Sequence, residues 1–233
     1  KEQVNIFSLN LDFEKSYDEK SYFSYGIEYL NNKVNSTAYL NNISNGSFSS
    51  IATRYPDDST WESLASYFTY KYKSSKDLIF HYGLRYSHII INADLSANNL
   101  FHNFPFSNAN LNTGALTGAL GLSWVQNDTF QWKFNLTTAF RAPNIDDIGK
   151  IFDSAPGIVV VPNPDLKPEK SFGAELGSLI SVNSKINFDF AVYYTHLYNS
   201  MIRSPFSMTV DSDDPSGSSI INQIIYHGEL SDI

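Results

Sequence analysis

Histidine is the side chain best suited to proton transfer and metal ligation near neutral pH, and the chain has five: His81, His88, His102, His196 and His227. They are scattered. His81 and His88 fall on opposite faces of any extended segment, none share a ligand spacing, and with no Cys a thiolate zinc site is excluded. Acid pairs stand at Asp57-Asp58, Asp146-Asp147 and Asp213-Asp214. Paired carboxylates can share general acid and base work or hold calcium. These sit near Pro, Gly or Ser without oxygen ligands at alternate positions, and read as solvated loop tips. No nucleophile has a His in evident reach, so no catalytic residue, metal ligand or cofactor site is expected, and the chain is not read as an enzyme. Recognition is the chemistry that remains. Leu100-Phe101-His102-Asn103-Phe104-Pro105-Phe106 offers stacking surface and adaptable hydrogen bonds, making Phe101, His102, Phe104 and Phe106 candidates for ligand contact. Self-packing of that loop is the competing reading. Arg141 and Asn144 could meet an anionic ligand, although the simpler role for Arg141 is to pair with Glu175 on a neighbouring strand.

Composition narrows the elements that must carry these residues. The chain is 233 residues long, 42% hydrophobic, and can form a core, so disorder is excluded. Aromatic residues make up 15% while charged residues make up only 17%, below the ~25% of ordinary soluble domains. Many rings need an apolar neighbour. The net charge of −8 has the wrong sign for binding phosphate backbones, and nucleic acid is not an expected partner. No window is apolar enough for a membrane helix. The chain opens on Lys1-Glu2-Gln3-Val4, already inside an alternating pattern, and is read as a piece of a longer protein.

A period of two runs through it. Phe7, Leu9, Leu11 and Phe13 oppose Ser8, Asn10, Asp12 and Glu14, a division that a strand makes and a helix cannot. The division recurs to the clearest case, where Ile186, Phe188, Phe190, Val192 and Tyr194 oppose Asn187, Asp189, Ala191, Tyr193 and Thr195. Eight strands are expected, with a ninth starting near Ile220. Short polar turns (Lys15 to Lys20, Lys73 to Asp77, Gln126 to Thr129, Val182 to Lys185) alternate with long loops at about 31–60, 92–111, 142–170 and 199–219. In an up-and-down meander, successive reversals fall on opposite rims, so all short turns share one end and all long loops the other. Alternating runs of 9 to 13 residues, such as Leu78 to Ile90, match the tilted strands of an outer-membrane barrel. Tyr29, Tyr72, Tyr86, Trp124, Trp132 and Tyr194, near the ends of these runs, suit a lipid interface. The expected fold is therefore all-β: an antiparallel up-and-down transmembrane barrel, present in part, with outer-membrane lipid against one face.

Four ordered motifs go beyond pattern: Gly83-Leu84-Arg85-Tyr86-Ser87, Phe140-Arg141-Ala142-Pro143-Asn144, Asn163-Pro164-Asp165-Leu166-Lys167-Pro168-Glu169 and Glu175-Leu176-Gly177. Together they resemble the barrel of TonB-dependent outer-membrane receptors. In that family a strand ending in Phe-Arg-Ala-Pro-Asn enters a long extracellular loop, and Asn-Pro-Asp/Asn-Leu-Lys-Pro-Glu returns the chain to the next strand. The resemblance implies that residues 1–233 are a segment of such a barrel domain in the bacterial outer membrane. It implies energy-coupled uptake of a scarce nutrient such as a ferric siderophore, haem or cobalamin, bound on the extracellular loops. It also implies a TonB-type energy-transducing complex acting through a plug outside this segment. Haem receptors of the family place a His between the two long motifs, and Ile145 to Pro162 contains none. A passive porin and a soluble β-rich adhesin remain as alternatives.

The motif residues have a structural reading first. Pro143 cannot donate to a ladder and keeps Ala142 extended, which ends the strand that carries Phe140 and Arg141. Pro162, Pro164 and Pro168 stiffen the return around Leu166, and Asn163, Asp165 and Glu169 can bond nearby backbone.

Overall fold

Side chains that alternate between apolar and polar can meet hydrocarbon on one side and water on the other only if the backbone is extended. The computed structural model, which describes residues 1–102, 104–155, 158–182 and 185–204, has this backbone. Eight long strands form one antiparallel sheet: β1 (Glu2–Ser16), β2 (Ser21–Ser36), β5 (Ser59–Lys73), β6 (Leu78–Asn92), β7 (Leu111–Val125), β8 (Phe130–Arg141), β11 (Glu169–Ser181) and β12 (Asn187–Tyr198). Each pairs with its sequence neighbour, as in a partial barrel. Short elements fill the long loops: the hairpins β3 (Tyr39–Asn41) with β4 (Phe48–Ser50) and β9 (Phe152–Ala155) with β10 (Ile158–Val160), and the helices α1 (Ser96–His102) and α2 (Ile145–Ile148). The strand expected near Ile220, most of the loop at 199–219, Asn103, His227 and Asp213-Asp214 lie outside the described residues.

Register turns the one-strand alternation into continuous faces. Phe13 stands opposite Tyr25, Tyr25 opposite Phe68 and Phe68 opposite Leu84; further round, Leu122, Phe134, Leu176 and Val192 form another row. Toward the short turns this face carries stacked rings, among them Phe23 on Tyr70 and Phe130 beside Trp132. Phe188, Phe190 and Val192 are exposed on this face, with the two rings against each other. Covering each such side chain with an apolar phase would be worth roughly 1.5–3 kcal/mol.

The opposite face is polar at mid-strand. Arg85 pairs with Glu28, Asn135 Nδ2 donates to Glu175 at 3.0 Å, and the Tyr67 hydroxyl donates to Asp12 across the intervening β2. Gly26 lies between those last two. A Cβ there would come within 2.6 Å of the Leu11 carbonyl oxygen and 2.8 Å of the Tyr67 ring, so the bridge requires glycine.

The strands, at 12 to 16 residues, outrun the expected 9 to 13, because ladder bonding continues after the apolar alternation has stopped. Tyr29 and Tyr86 accordingly fall inside strands rather than at their ends. Toward the long-loop rim the faces exchange character. The outward row Lys33, Thr60, Asn92 is polar, whereas the inward row Asn32, Trp61, Ile91, Leu111 is largely apolar. The polar outward row needs no apolar neighbour there, and the inward row meets protein.

The membrane face carries a direct prediction. Leu84→Asp and Phe188→Asp should hinder membrane assembly of the full protein far more than Asn187→Asp, since a charge among hydrocarbon costs up to ~2–4 kcal/mol and a lumen charge little. Heat-modifiable migration of the folded barrel would report it; equal tolerance of all three would contradict the assigned face.

Candidate functional site

The inward apolar row is covered by the loops themselves. Ala93, Leu95, Phe104, Ala109, Ile145, Ile148, Ile151, Val161 and Leu166 form one buried cluster with Val34, Ile89 and Ile91 of the wall. The loops at 92–111 and 142–170 therefore share one core against the inner wall at the long-loop rim, and the loop before β5 is bonded to them; together they are called the lid. Polar bonds stitch it. Asn98 Nδ2 donates to the Thr53 carbonyl at 2.9 Å, Ile151 N–H to the Arg54 carbonyl at 2.8 Å and Asn163 N–H to the Ile148 carbonyl at 3.2 Å. Trp61 Nε1 of β5 donates to the Pro143 carbonyl at 3.3 Å, tying the lid to the wall.

The two long motifs meet in a latch. Arg141, the last residue of β8, stands opposite Glu169, the first of β11. Its guanidinium reaches Glu169 at 3.0 Å and Asp147 at 2.8 Å. Asn144 caps α2: its Oδ1 accepts from Asp147 N–H at 2.9 Å, while its own N–H donates to Asp147 Oδ2 at 3.0 Å. This reciprocal capping box starts so short a helix cleanly, and the Gly149 N–H, donating to the Ile145 carbonyl, closes it. Glu169 also accepts from Met201 N–H at 2.7 Å, and Asn199 Nδ2 donates to the Pro168 carbonyl at 3.4 Å, which holds the end of β12 to the same corner. Pro143 is fully buried, as is Leu166 in the loop core, while Asn163 Oδ1 accepts from Asp165 N–H at 3.0 Å beside Pro164. Phe140 packs on the edge of the cluster. The expected pairing of Arg141 with Glu175 is not formed: Glu175 lies opposite Asn135, well down the strand and out of reach.

The aromatic loop divides. Phe104 is 6% exposed and stacks on Phe106 at 5.5 Å and on His102 at 5.3 Å, which makes these rings part of the lid's packing. Phe101 and Leu100, at 47% and 83% exposure, face outward. Between lid and wall lies a cavity of about 430 Å³ whose lining includes Leu30, Val34, Tyr55, Trp61, Asn144 and Ile145. Two of the acid pairs read as solvated tips are bonded instead: Asp57 accepts from Ser36 N–H at 2.8 Å, and Asp146 accepts from the Tyr55 hydroxyl at 2.6 Å and binds Lys150 at 2.9 Å. Side-chain oxygens close to a loop backbone serve as its fasteners, a use that acid spacing alone does not reveal. Among the described residues no group of three or more His, Asp or Glu is placed to hold a metal.

Burial, and then the bond to Asp146, pushes the Tyr55 hydroxyl up to about 12 from 10.0. Burial alone would raise Asp146, but Tyr55 and Lys150 hold its carboxyl below the ordinary value. A raised tyrosine contributes to docking fully below its unfolded value, and that contribution is lost as pH climbs between about 10 and about 12. A depressed carboxyl contributes above its unfolded value, and the contribution is lost as pH falls through the folded one. The lid should thus loosen at both extremes. Trp61 fluorescence would follow this, and Tyr55→Phe should abolish the alkaline arm; an unchanged alkaline transition in that variant would refute the assignment.

An antiparallel meander with an apolar outer belt, a polar lumen wall and long loops closing one rim defines a segment of an outer-membrane-type β-barrel. Residues 2–227 match the family described as TonB dependent receptor-like, beta-barrel, and the chain belongs to that family. Its members are bacterial outer-membrane proteins that act as transporters, not enzymes. Among solved structures it is similar to the copper transporter OprC, at 14% identity and a TM-score of 0.69, covering 88% of this chain and 32% of that one. It is also similar to the siderophore receptor PirA from Pseudomonas aeruginosa, at 15% identity and a TM-score of 0.66, covering 95% and 37%. A third is the Serratia marcescens hemophore receptor HasR, solved as a double mutant with its hemophore HasA and heme, at 14% identity and a TM-score of 0.66, covering 99% and 38%. The chain spans about a third of the length of these proteins. No curated protein matches it by sequence.

Proposed function

We propose that the chain is part of an outer-membrane receptor for energy-coupled uptake of a scarce nutrient, such as a ferric siderophore, haem or cobalamin. The observation that carries this reading is the lid. A passive pore works with an open mouth, whereas loops that share one buried core and a latch to the wall form an ordered surface suited to holding a bulky solute and to moving as one body. Displacement is the step that binding energy and an energy-transducing complex supply. The exposed Phe101 and Leu100 are the first loop surface for ligand contact, with His102, Phe104 and Phe106 supporting it from behind. Arg141 and Asn144 govern entry through the latch. A plug outside this segment transmits the pull of a TonB-type complex. The uncovered apolar belt favours a bilayer over the aqueous setting of a soluble adhesin.

Uptake of a labelled ferric siderophore, haem or cobalamin by cells carrying the full-length protein, with and without a proton-motive force, tests the proposal. Accumulation of one of them that collapses when the force is dissipated is expected. Energy-independent permeation of small solutes would instead establish the porin reading.

A further inference from the structure

The wall is incompletely zipped. β7 and β8 pair only from Ala119 with Thr137 to Val125 with Gln131, although β7 continues to the rim in register with β6 and β8 continues to Arg141 in register with β11. At the point of divergence the Gly118 N–H turns to the Thr138 hydroxyl, at 2.8 Å, instead of a ladder carbonyl. Above it the strands enclose a gap of about 720 Å³, lined by Gly114 to Thr117, Thr138 to Phe140 and Lys170 to Phe172, with Tyr198 beside them. Its even-numbered lining residues continue the membrane-facing rows, and Phe140 joins it to the lid core.

An opening of this kind has two unmet needs. Leu116, Phe140 and Phe172 in its mixed lining need an apolar neighbour on a face turned to a bilayer, and ladder groups left open along its edges need polar partners where water is scarce. Lys170 supplies a third feature. It is exposed at the long-loop rim, is the lone cation among the lining residues, and has no ion pair among the described residues. Building on the membrane placement proposed above, we propose that this gap binds a phosphate-bearing, acylated lipid of the leaflet at the long-loop rim. An acyl chain lies against Leu116, Phe140 and Phe172, ester or amide groups meet the open strand edges, and the phosphate sits on Lys170. An extended peptide could pair with the same edges. The apolar side of entry and the single ammonium at the mouth favour the lipid.

The full-length receptor in phosphatidylcholine nanodiscs doped with lipid A, or with its dephosphorylated form, tests this by native mass spectrometry. Wild type should retain lipid A in preference to the dephosphorylated lipid, and Lys170→Gln should lower retention roughly fivefold, the scale of one lysine near an anionic surface. Leu116→Trp, which fills the gap, should lower retention of both forms. Equal retention of the two lipids, equal retention by wild type and Lys170→Gln, or a peptide held in the gap would overturn the proposal. A receptor that inserts and takes up nutrient yet shows no such preference sinks this inference alone, whereas one that fails to enter the membrane sinks the functional reading with it.

Discussion

Ile148→Asp should free the lid while leaving the wall assembled. Ile148 has no exposed surface and sits in α2 among the buried side chains that join the loops at 92–111 and 142–170 to Val34, Ile89 and Ile91. A carboxylate at that position would be buried among apolar groups. The loss of packing and the unpaired charge together cost about 4 kcal/mol, more than a small loop body can hold against. The strands do not share the cost, because their ladders and their lipid face are made elsewhere. Hydrogen exchange on the full receptor in detergent should show protection vanishing across the described residues of 93–110 and 142–168 and persisting in the ladders from β1 to β8. Loss spread evenly over wall and lid, or no loss at all, would show that the loops are not one cooperative body. In uptake experiments the same variant should bind ligand weakly, since a released lid no longer presents an ordered surface.

Arg141→Leu should give the second largest effect through a different mechanism. Asp147 and Glu169 have side chains only 15% and 16% exposed, and Arg141 serves both. Removing it strands two shielded carboxylates. Arg141 itself is half exposed, so water screens part of the interaction, and about 2 kcal/mol is the expected loss rather than the 3–5 of a buried pair. That is roughly a 30-fold rise in local opening of the corner. The capping box of Asn144 and Asp147 and the bond from Met201 to Glu169 stay in place, so exchange should rise at the return from Asn163 to Glu169 and not throughout the lid. Arg141→Lys should recover part of the loss, because an ammonium reaches one carboxylate but lacks the fork that spans two. Full recovery by lysine would reduce the latch to simple charge.

Much of this molecule is legible residue by residue. The outward face of β12 can be read from Phe188, Phe190 and Val192 alone, and the turn after β8 from Pro143, because each depends on a solvent or a backbone restriction that acts within a few positions. The lid is different. Leu95, Ile145, Ile148, Ile151 and Val161 follow no period, lie among Asn and Pro, and resemble ordinary loop residues until a wall is placed beneath them. One signal was available: at Ile89-Ile90-Ile91 both faces become apolar, which marks the point where the inward side of the strand gains protein. Arg141 likewise reads as an inward cation, but its partner depends on register, which puts Glu169 beside it and Glu175 out of range.

From its sequence alone, then, the protein is a meander of eight or nine strands with an apolar side, a polar side and one rim of long loops, and four motifs tie it to a receptor barrel. The strands and their sides follow from alternation along a backbone of period two. Only the folded sheet decided which loops share a core, which carboxylates the latch holds and where β7 and β8 part. Each of these joins residues far apart along the chain, and the distance between them is set by the pairing of all the strands in between.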